Sequence, residues 1–193
     1  FIISSIFMSI HLQAQDNPGY HVPPSSILQL ADYERAPQVS IDTKKEYMLL
    51  TYRPTYKSLD DLNMQEMSMG GMRINPVTNI SSSMNYINNL KVRKVAAKEP
   101  VQVKGLPANP RITFVTWAPD ETKVAFTNTT ATGVELWVLD IAAAQATKLT
   151  GANVNANLGN PFNWYRDSKR ILVRLLPAGR PGLIDAKKQI PTG

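Results

Sequence analysis

The chain has 193 residues, of which 43% are hydrophobic and 19% charged, and its formal net charge is +6. This balance is typical of a folded protein and excludes a disordered tail, a collagen and a multi-pass membrane protein. Because the chain has no Cys and only two His, His11 and His21, disulfide scaffolds, thiolate zinc sites and iron–sulfur clusters are excluded as well.

The N-terminal segment from Phe1 to Leu12 is uncharged and mostly apolar, and Ala14 follows it closely. Such a run is too short for a bilayer, which needs about twenty residues, but it suits the hydrophobic part of a secretory signal. We therefore predict that residues 1–14 are a signal peptide remnant and that the mature protein is exported, to a bacterial periplasm or the cell exterior. The alternative is a buried strand or helix of a longer protein. The missing start Met predicts a fragment.

Residues 15–36 are predicted to form an N-terminal arm with one short helix, capped by Ser25 or Ser26. Beyond this arm, strand-like runs flank polar turns in three places, at residues 39–52, 112–126 and 162–173. Each is predicted to be a β-hairpin. Each turn contains an aspartate: Asp42, Asp120 and Asp167.

The turn aspartates lie 78 and 47 residues apart, and the shorter interval is close to the repeat length of four-stranded propeller blades. Residues 112–150 contain four strand-like runs, which make one such blade. The longer first interval predicts an insertion near residues 57–89, where Met side chains would fill core space and Gly70 and Gly71 would interrupt a short helix or bent strand. The sequence thus predicts an all-β fold, an incomplete β-propeller of about two and a half blades over residues 37–193.

No residue of the chain is predicted to be catalytic or to bind a metal or a cofactor, and no substrate-binding residue is assigned. Adjacent carboxylates such as Asp60 and Asp61 cannot flank a bond from two sides, so we interpret this pair as part of a solvated turn. Asp120, Asp140 and Asp167 are expected at strand ends, where their carboxylates accept backbone N–H bonds.

Two basic stretches, residues 91–94 and 166–188, contain 10 of the 21 Lys and Arg residues. No nucleic-acid-binding motif surrounds them, so we interpret them as solvated strand faces and turns. Trp117, Trp137 and Trp164 recur on predicted strands, and packing between blades is their expected role.

Two sets of residues resemble known sequences. The stretch from Trp117 to Thr127, with residues 136–140 and 149–150 after it, resembles a repeat of exported propellers. That repeat occurs in TolB-like proteins and in the N-terminal domain of the prolyl oligopeptidase family of serine peptidases. The segment GGMRINPVTN at residues 70–79 is similar to a motif of the glutamyl-endopeptidase-like branch of that family. The resemblance extends over about residues 23–193.

The chain departs from the propeller repeat in two ways. Ala118 stands where Ser is usual, and no turn aspartate is followed by Gly, so the turns cannot be simple Asp-Gly type I′ turns.

The resemblance implies an N-terminal propeller that caps an α/β-hydrolase domain and admits short or unfolded peptides to a Ser-Asp-His site, with cleavage after Glu. It also implies an alternative to solvated faces for the basic stretches, a cationic propeller interior that attracts acidic peptides. The G-x-S-x-G nucleophile elbow is absent from this sequence, so the catalytic domain is expected outside it. The implied partners are peptide substrates, with no nucleic acid, no cofactor and no integral membrane segment after signal cleavage. The alternative is a non-catalytic TolB-like propeller that binds proteins or envelope components.

Overall fold

The computed structural model describes residues 22–31 and 33–180, and the chain divides into two compact units, Phe1–Tyr33 and Glu34–Gly193. The predicted signal peptide at residues 1–14 lies outside the described residues. Within the described ranges, no helix is long and apolar enough to cross a bilayer.

The described part of the first unit contains one helix, α1 (Ser25–Ala31). The amides of Ile27 and Leu28 donate to the carbonyl oxygen of Pro24 at 2.9 and 3.1 Å, so Pro24 holds the N-cap position. The predicted short helix is confirmed, and its cap is Pro24 rather than Ser25 or Ser26.

The described part of the second unit is built mainly from short strands. β-branched and aromatic side chains favour strands in these segments, and Gly, Pro, Asn and Asp separate them. The elements are β1 (Gln38–Ile41), β2 (Tyr47–Tyr52), α2 (Leu59–Leu62), β3 (Met67–Met69), β4 (Met72–Asn75), β5 (Ile80–Ser81), β6 (Asn89–Lys94), β7 (Val101–Gln102), β8 (Ile112–Trp117), β9 (Lys123–Thr129), β10 (Val134–Asp140), β11 (Gln145–Lys148), β12 (Phe162–Trp164) and β13 (Ile171–Val173).

Two four-stranded antiparallel sheets make up most of this unit. Their strand orders are β1-β2-β6-β7 and β8-β9-β10-β11, so each sheet is a meander from one edge to the other, as in a propeller blade. Strands β12 and β13 form a third, two-stranded antiparallel sheet. The predicted all-β, partial propeller fold is confirmed, and the sheets within residues 34–180 do not close into a barrel.

The connection from β2 to β6 holds α2 and a three-stranded antiparallel sheet of β3, β4 and β5. Gly70 and Gly71, with φ of 54° and 84°, join β3 to β4 in the two-residue turn that requires positive φ at both positions. The predicted short helix is present as α2, but it ends at Leu62, so the two glycines end strand β3 rather than a helix. Met69 and Met72 are exposed, so they do not fill core space, whereas Met84 packs against a core cluster.

The hydrophobic core lies between the sheets. Leu90 of the first sheet packs in one cluster with Phe126 and Leu139 of the second, and all three side chains are fully buried. A second cluster joins Leu136, on the other face of the second sheet, to Phe162 of β12. Because both faces of the second sheet are covered, β10 has apolar side chains on both faces, and its one buried carboxylate, Glu135, is bonded to Asn128, Trp137 and Lys148.

The β1–β2, β8–β9 and β12–β13 turns each contain a residue with the same left-handed backbone conformation. Lys45, Glu121 and Ser168 have φ of 59°, 60° and 56°, and they lie 76 residues apart (45 to 121) and 47 residues apart (121 to 168). Asp120 directly precedes its left-handed residue, whereas Asp42 stands three positions before Lys45. The sequence-based superposition of Asp42 on Asp120 is therefore shifted by two residues.

Two of these left-handed residues reach the preceding turn with their side chains. Oε2 of Glu121 accepts hydrogen bonds from the amide and the hydroxyl of Thr43 at 2.9 and 2.6 Å. Oγ of Ser168 accepts one from the amide of Asp120 at 3.0 Å. We call these contacts the turn ties. Glycine, which usually follows a turn aspartate, has no side chain and could not form the turn ties. The side chains that stand in its place, those of Glu121 and Ser168, therefore connect neighbouring sheets.

Tryptophan indoles connect the first strands of neighbouring sheets. The Nε1–H of Trp117 donates to Oγ of Ser40 on β1 at 2.9 Å, and that of Trp164 donates to a carbonyl oxygen of β8 at 3.2 Å. Trp137 stacks on Phe126 within the second sheet, with ring centroids 6.3 Å apart, and also contacts the core shared with the first sheet. The predicted packing role of these residues is confirmed.

The hairpin turns and the insertion lie at opposite ends of the sheets. In a meander the chain reverses after every strand, so the β1–β2 and β8–β9 turns share one end. The β2–β6 connection and the β9–β10 loop occupy the other end, which we call the insertion end.

Candidate functional site

A cleft of about 660 Å³ opens at the insertion end, and we call it the insertion cleft. Three parts of the chain line it: α2 with the residues after it, the turn between β4 and β5, and the β9–β10 loop beside residues 107–111. Its volume falls in the range of protein sites that hold small ligands or short peptide segments.

One wall of the cleft is the turn within the GGMRINPVTN segment. Oδ1 of Asn75 accepts hydrogen bonds from the amides of Val77 and Thr78 at 2.9 and 3.0 Å, an Asx turn in which Pro76 restricts the backbone. Asn79, with φ of 59°, closes the loop by donating its amide to the Asn75 carbonyl at 2.9 Å. The segment that carries the family resemblance is thus an internally bonded wall of the cleft.

Arg111 forms part of the opposite wall. Its Nη2 lies 2.7 Å from Oδ1 of Asp61 in a partly buried ion pair, and its guanidinium carbon lies 4.2 Å from the ring centre of Tyr86. It is the one cation among the described residues that line the cleft, which also include Asp60. The cleft therefore presents no net positive charge to a ligand.

Three polar groups of the cleft wall are buried without a hydrogen-bond partner among residues 22–31 and 33–180. They are Oγ1 of Thr78, Oγ1 of Thr129 and Nε of Arg111. Apart from Oδ1 of Asp61, which is paired with Arg111, five buried side-chain atoms of the described residues lack a hydrogen-bond partner, and three of the five belong to residues that line this cleft. Buried polar groups are normally paired, because an unpaired one loses its bond to water without a replacement.

The structure brings Asp61, but not Asp60, into a role that the sequence did not indicate. Ser58 caps α2 by accepting the Asp61 amide at 3.1 Å, and Oδ2 of Asp61 accepts the Ser58 amide at 3.3 Å. The other carboxylate oxygen pairs with Arg111. The interpretation of this pair as a solvated turn is wrong for Asp61, because a capping box and an ion pair bury its side chain.

The turn aspartates accept backbone N–H bonds, as predicted. Oδ1 of Asp140 accepts the amide of Ala143 at 2.9 Å. The Thr122 amide donates to Oδ1 of Asp120 at 3.1 Å, and this bond is the main cause that holds the pKa of Asp120 below its ordinary 3.8. The Lys169 amide lowers the pKa of Asp167 in the same way.

These lowered pKa values predict how stability responds to acid. Both carboxylates bind a proton more weakly in the folded chain, so their contribution is present above the unfolded pKa of about 3.8 and is lost as pH falls through the lower, folded values. The double variant Asp120→Asn/Asp167→Asn should show a shallower fall in the free energy of unfolding below about pH 4. Urea unfolding between pH 2.5 and 6 measures this, and an unchanged slope would contradict the assignment.

The arginines of the second basic stretch serve mainly local structure. Nη2 of Arg174 donates to the carbonyl oxygens of residues 158, 159 and 160 at 3.1, 3.4 and 2.6 Å. Nε of Arg170 lies 2.8 Å from Oδ2 of Asp167, and Nη1 of Arg180 donates to Oδ1 of Asn79 at 2.6 Å. Lys187 and Lys188 lie outside the described residues. These arginines are exposed, as expected of solvated strand faces and turns, and they are also bonded to protein oxygens.

The sequence did not indicate Arg111, Thr78 or Thr129 as site residues. They come from segments that are far apart in the chain and meet only through the insertion between β2 and β6. In the sequence, only the GGMRINPVTN segment indicated any part of the cleft, and it forms one of the cleft walls.

Two curated plant proteins are similar to this chain. It is 29% identical over 189 residues to a probable chloroplastic glutamyl endopeptidase of Oryza sativa subsp. japonica. The aligned region covers 91% of this chain and 20% of the rice protein. It is 27% identical over 187 residues to a protein of the same name from Arabidopsis thaliana, over 91% of this chain and 19% of that protein. The chain thus spans about a fifth of the length of these relatives. No family model and no solved structure matches it.

These relatives bear on two of the predictions. Their names suggest a peptidase-related function, which confirms the predicted resemblance in its general form. The prediction of an exported, periplasmic or extracellular bacterial protein is wrong, because both relatives are named chloroplastic and come from plants. A short apolar run also occurs in segments that are not secretory signals, so its length and polarity alone do not specify a compartment.

Proposed function

We propose that this chain is the N-terminal propeller segment of a plastid serine peptidase of the prolyl oligopeptidase family, which cleaves peptides after Glu. The similarity to two proteins named glutamyl endopeptidase, each over 91% of this chain, carries the proposal. The blade-like meanders support it. Since the sequence lacks G-x-S-x-G, the nucleophile belongs elsewhere in the natural polypeptide, and this segment gates the access of peptides to it.

The test uses the full natural polypeptide that contains this chain. A fluorophosphonate probe should label one Ser outside residues 1–193, and peptides that contain Glu should be cleaved on its carboxyl side. A peptide in which Gln replaces that Glu is the matched control and should resist cleavage. Absence of both labelling and hydrolysis would contradict a peptidase and favour a non-catalytic binding propeller.

A further inference from the structure

We propose that the insertion cleft binds an extended, uncharged segment of a polypeptide, and that Thr78 and Thr129 hydrogen-bond to its backbone. This inference rests on the proposed function for the choice of a peptide over other neutral polar ligands. The unpartnered hydroxyls and the balanced charge of the cleft carry the remainder of the argument.

The lining of the cleft is rich in neutral hydrogen-bonding groups. Five side-chain amides line it: Asn63, Gln65, Asn75, Asn109 and Asn128. Asn75 and Asn128 are buried and already bonded within the protein, whereas the other three are exposed. An amide side chain carries a donor and an acceptor, as a peptide group does, so it can pair with an extended backbone without regard to the side chains of the ligand. Met64, Val77 and Pro107 add apolar contact surface between these groups.

The charge of the cleft favours an uncharged segment. Arg111 is paired with Asp61 at 2.7 Å, and Asp60 adds a negative charge to the lining. An acidic segment would meet this carboxylate without a free cation, whereas a neutral backbone needs no counter-charge.

The two threonines supply the unused bonding capacity. Thr78 and Thr129 are 3% and 2% exposed, and their hydroxyls lack a partner among residues 22–31 and 33–180. In the free protein both hydroxyl oxygens are buried. Rotation about the Cα–Cβ bond moves a Thr hydroxyl between staggered positions, and the proposed binding requires this rotation when a peptide enters the cleft. A bound peptide then provides the partner that the free protein lacks.

The test compares Thr78→Val and Thr129→Val with the parent in the full natural polypeptide. Val has the shape of Thr without the hydroxyl, so each change removes an unpaired buried group and should raise Tm by a few degrees. Each should also weaken the binding of a fluorescein-labelled unfolded peptide of about twelve uncharged residues by about fivefold or more, measured by fluorescence anisotropy. Thr78→Ser keeps the hydroxyl and should keep the affinity.

Thr147→Val is the matched control, because Thr147 is exposed on β11 and does not line the cleft. It should leave peptide binding unchanged. Unchanged affinity in both cleft variants, or no binding by the parent, would overturn the inference. The binding measurement does not need hydrolysis, and the peptide contains no Glu. A polypeptide without peptidase activity that still shows the expected loss of affinity would therefore overturn the proposed function alone.

Discussion

Replacing Gly105 with Ala is expected to lower the free energy of unfolding by about 2–5 kcal/mol, the sum of backbone strain and overpacking. Gly105 has φ of 73°, where a side chain is strained, and an added Cβ would meet the side-chain nitrogen of Gln145 and lie 2.5 Å from the carbonyl oxygen of Ala146. The Gln145 amide can move, but the Ala146 carbonyl belongs to β11. The clash therefore falls on the backbone of the second sheet.

The strain would also disturb a junction between the two four-stranded sheets. Lys104, next to Gly105, donates its amide to Ala144 at 2.9 Å and accepts the Ala146 amide at 2.8 Å. Gly70→Ala is the matched control, because Gly70 also has positive φ but nothing lies within 4 Å of an added Cβ. It should cost only about 1–2 kcal/mol. Urea unfolding followed by Trp fluorescence measures both, and equal losses would show that the close approach at Gly105 is unimportant.

Leu139→Ala is expected to cost about 2–5 kcal/mol, because it removes a fully buried side chain and leaves a cavity. Leu139 is 0% exposed and belongs to the cluster between the first and second sheets, together with Leu90 and Phe126. Leu172→Ala, on β13, is the matched control, since Leu172 is 59% exposed. That change should stay within about 0.5 kcal/mol.

Thermal unfolding of the two leucine variants gives the comparison. Equal destabilisation by Leu172→Ala and Leu139→Ala would mean that the exposed face of β13 is covered in solution. The burial of a side chain in this structure would then not predict the loss of unfolding free energy. A loss for Leu139→Ala below about 1 kcal/mol would contradict the position of the core between the sheets.

The strands were predictable because their signal is local. Apolar residues such as Val124 and Phe126 lie close to a polar turn, and this pattern needs no knowledge of distant segments. The turn register was less predictable. Asp42 and Asp120 both accept backbone amides, but Asp42 does so from the far side of its turn, at Glu46 and Tyr47. A carboxylate can cap a turn from more than one position, so matching aspartates did not align the backbones.

The cleft was not predictable for a different reason. Its walls come from Asn75, Arg111 and Thr129, and their distances in sequence contain no periodicity. The ion pair of Asp61 with Arg111 likewise depends on how the insertion folds back over the second sheet. Such contacts follow from tertiary packing, which hydrophobic patterns alone do not specify.

The turn ties fix the alignment of successive turns at one end of the sheets. Thr43, Asp120 and Ser168 all take part in contacts between successive turns, so a residue added or lost in any of these turns would break a contact with its neighbour. At the opposite end, the β2–β6 connection contacts the second sheet through the Asp61–Arg111 ion pair and the backbone bonds between Ile87 and Ile112, rather than through ties between turns. Evolution could therefore lengthen that connection into α2 and a small sheet without realigning the blades. A new recognition surface could arise there while the repeating framework stayed the same.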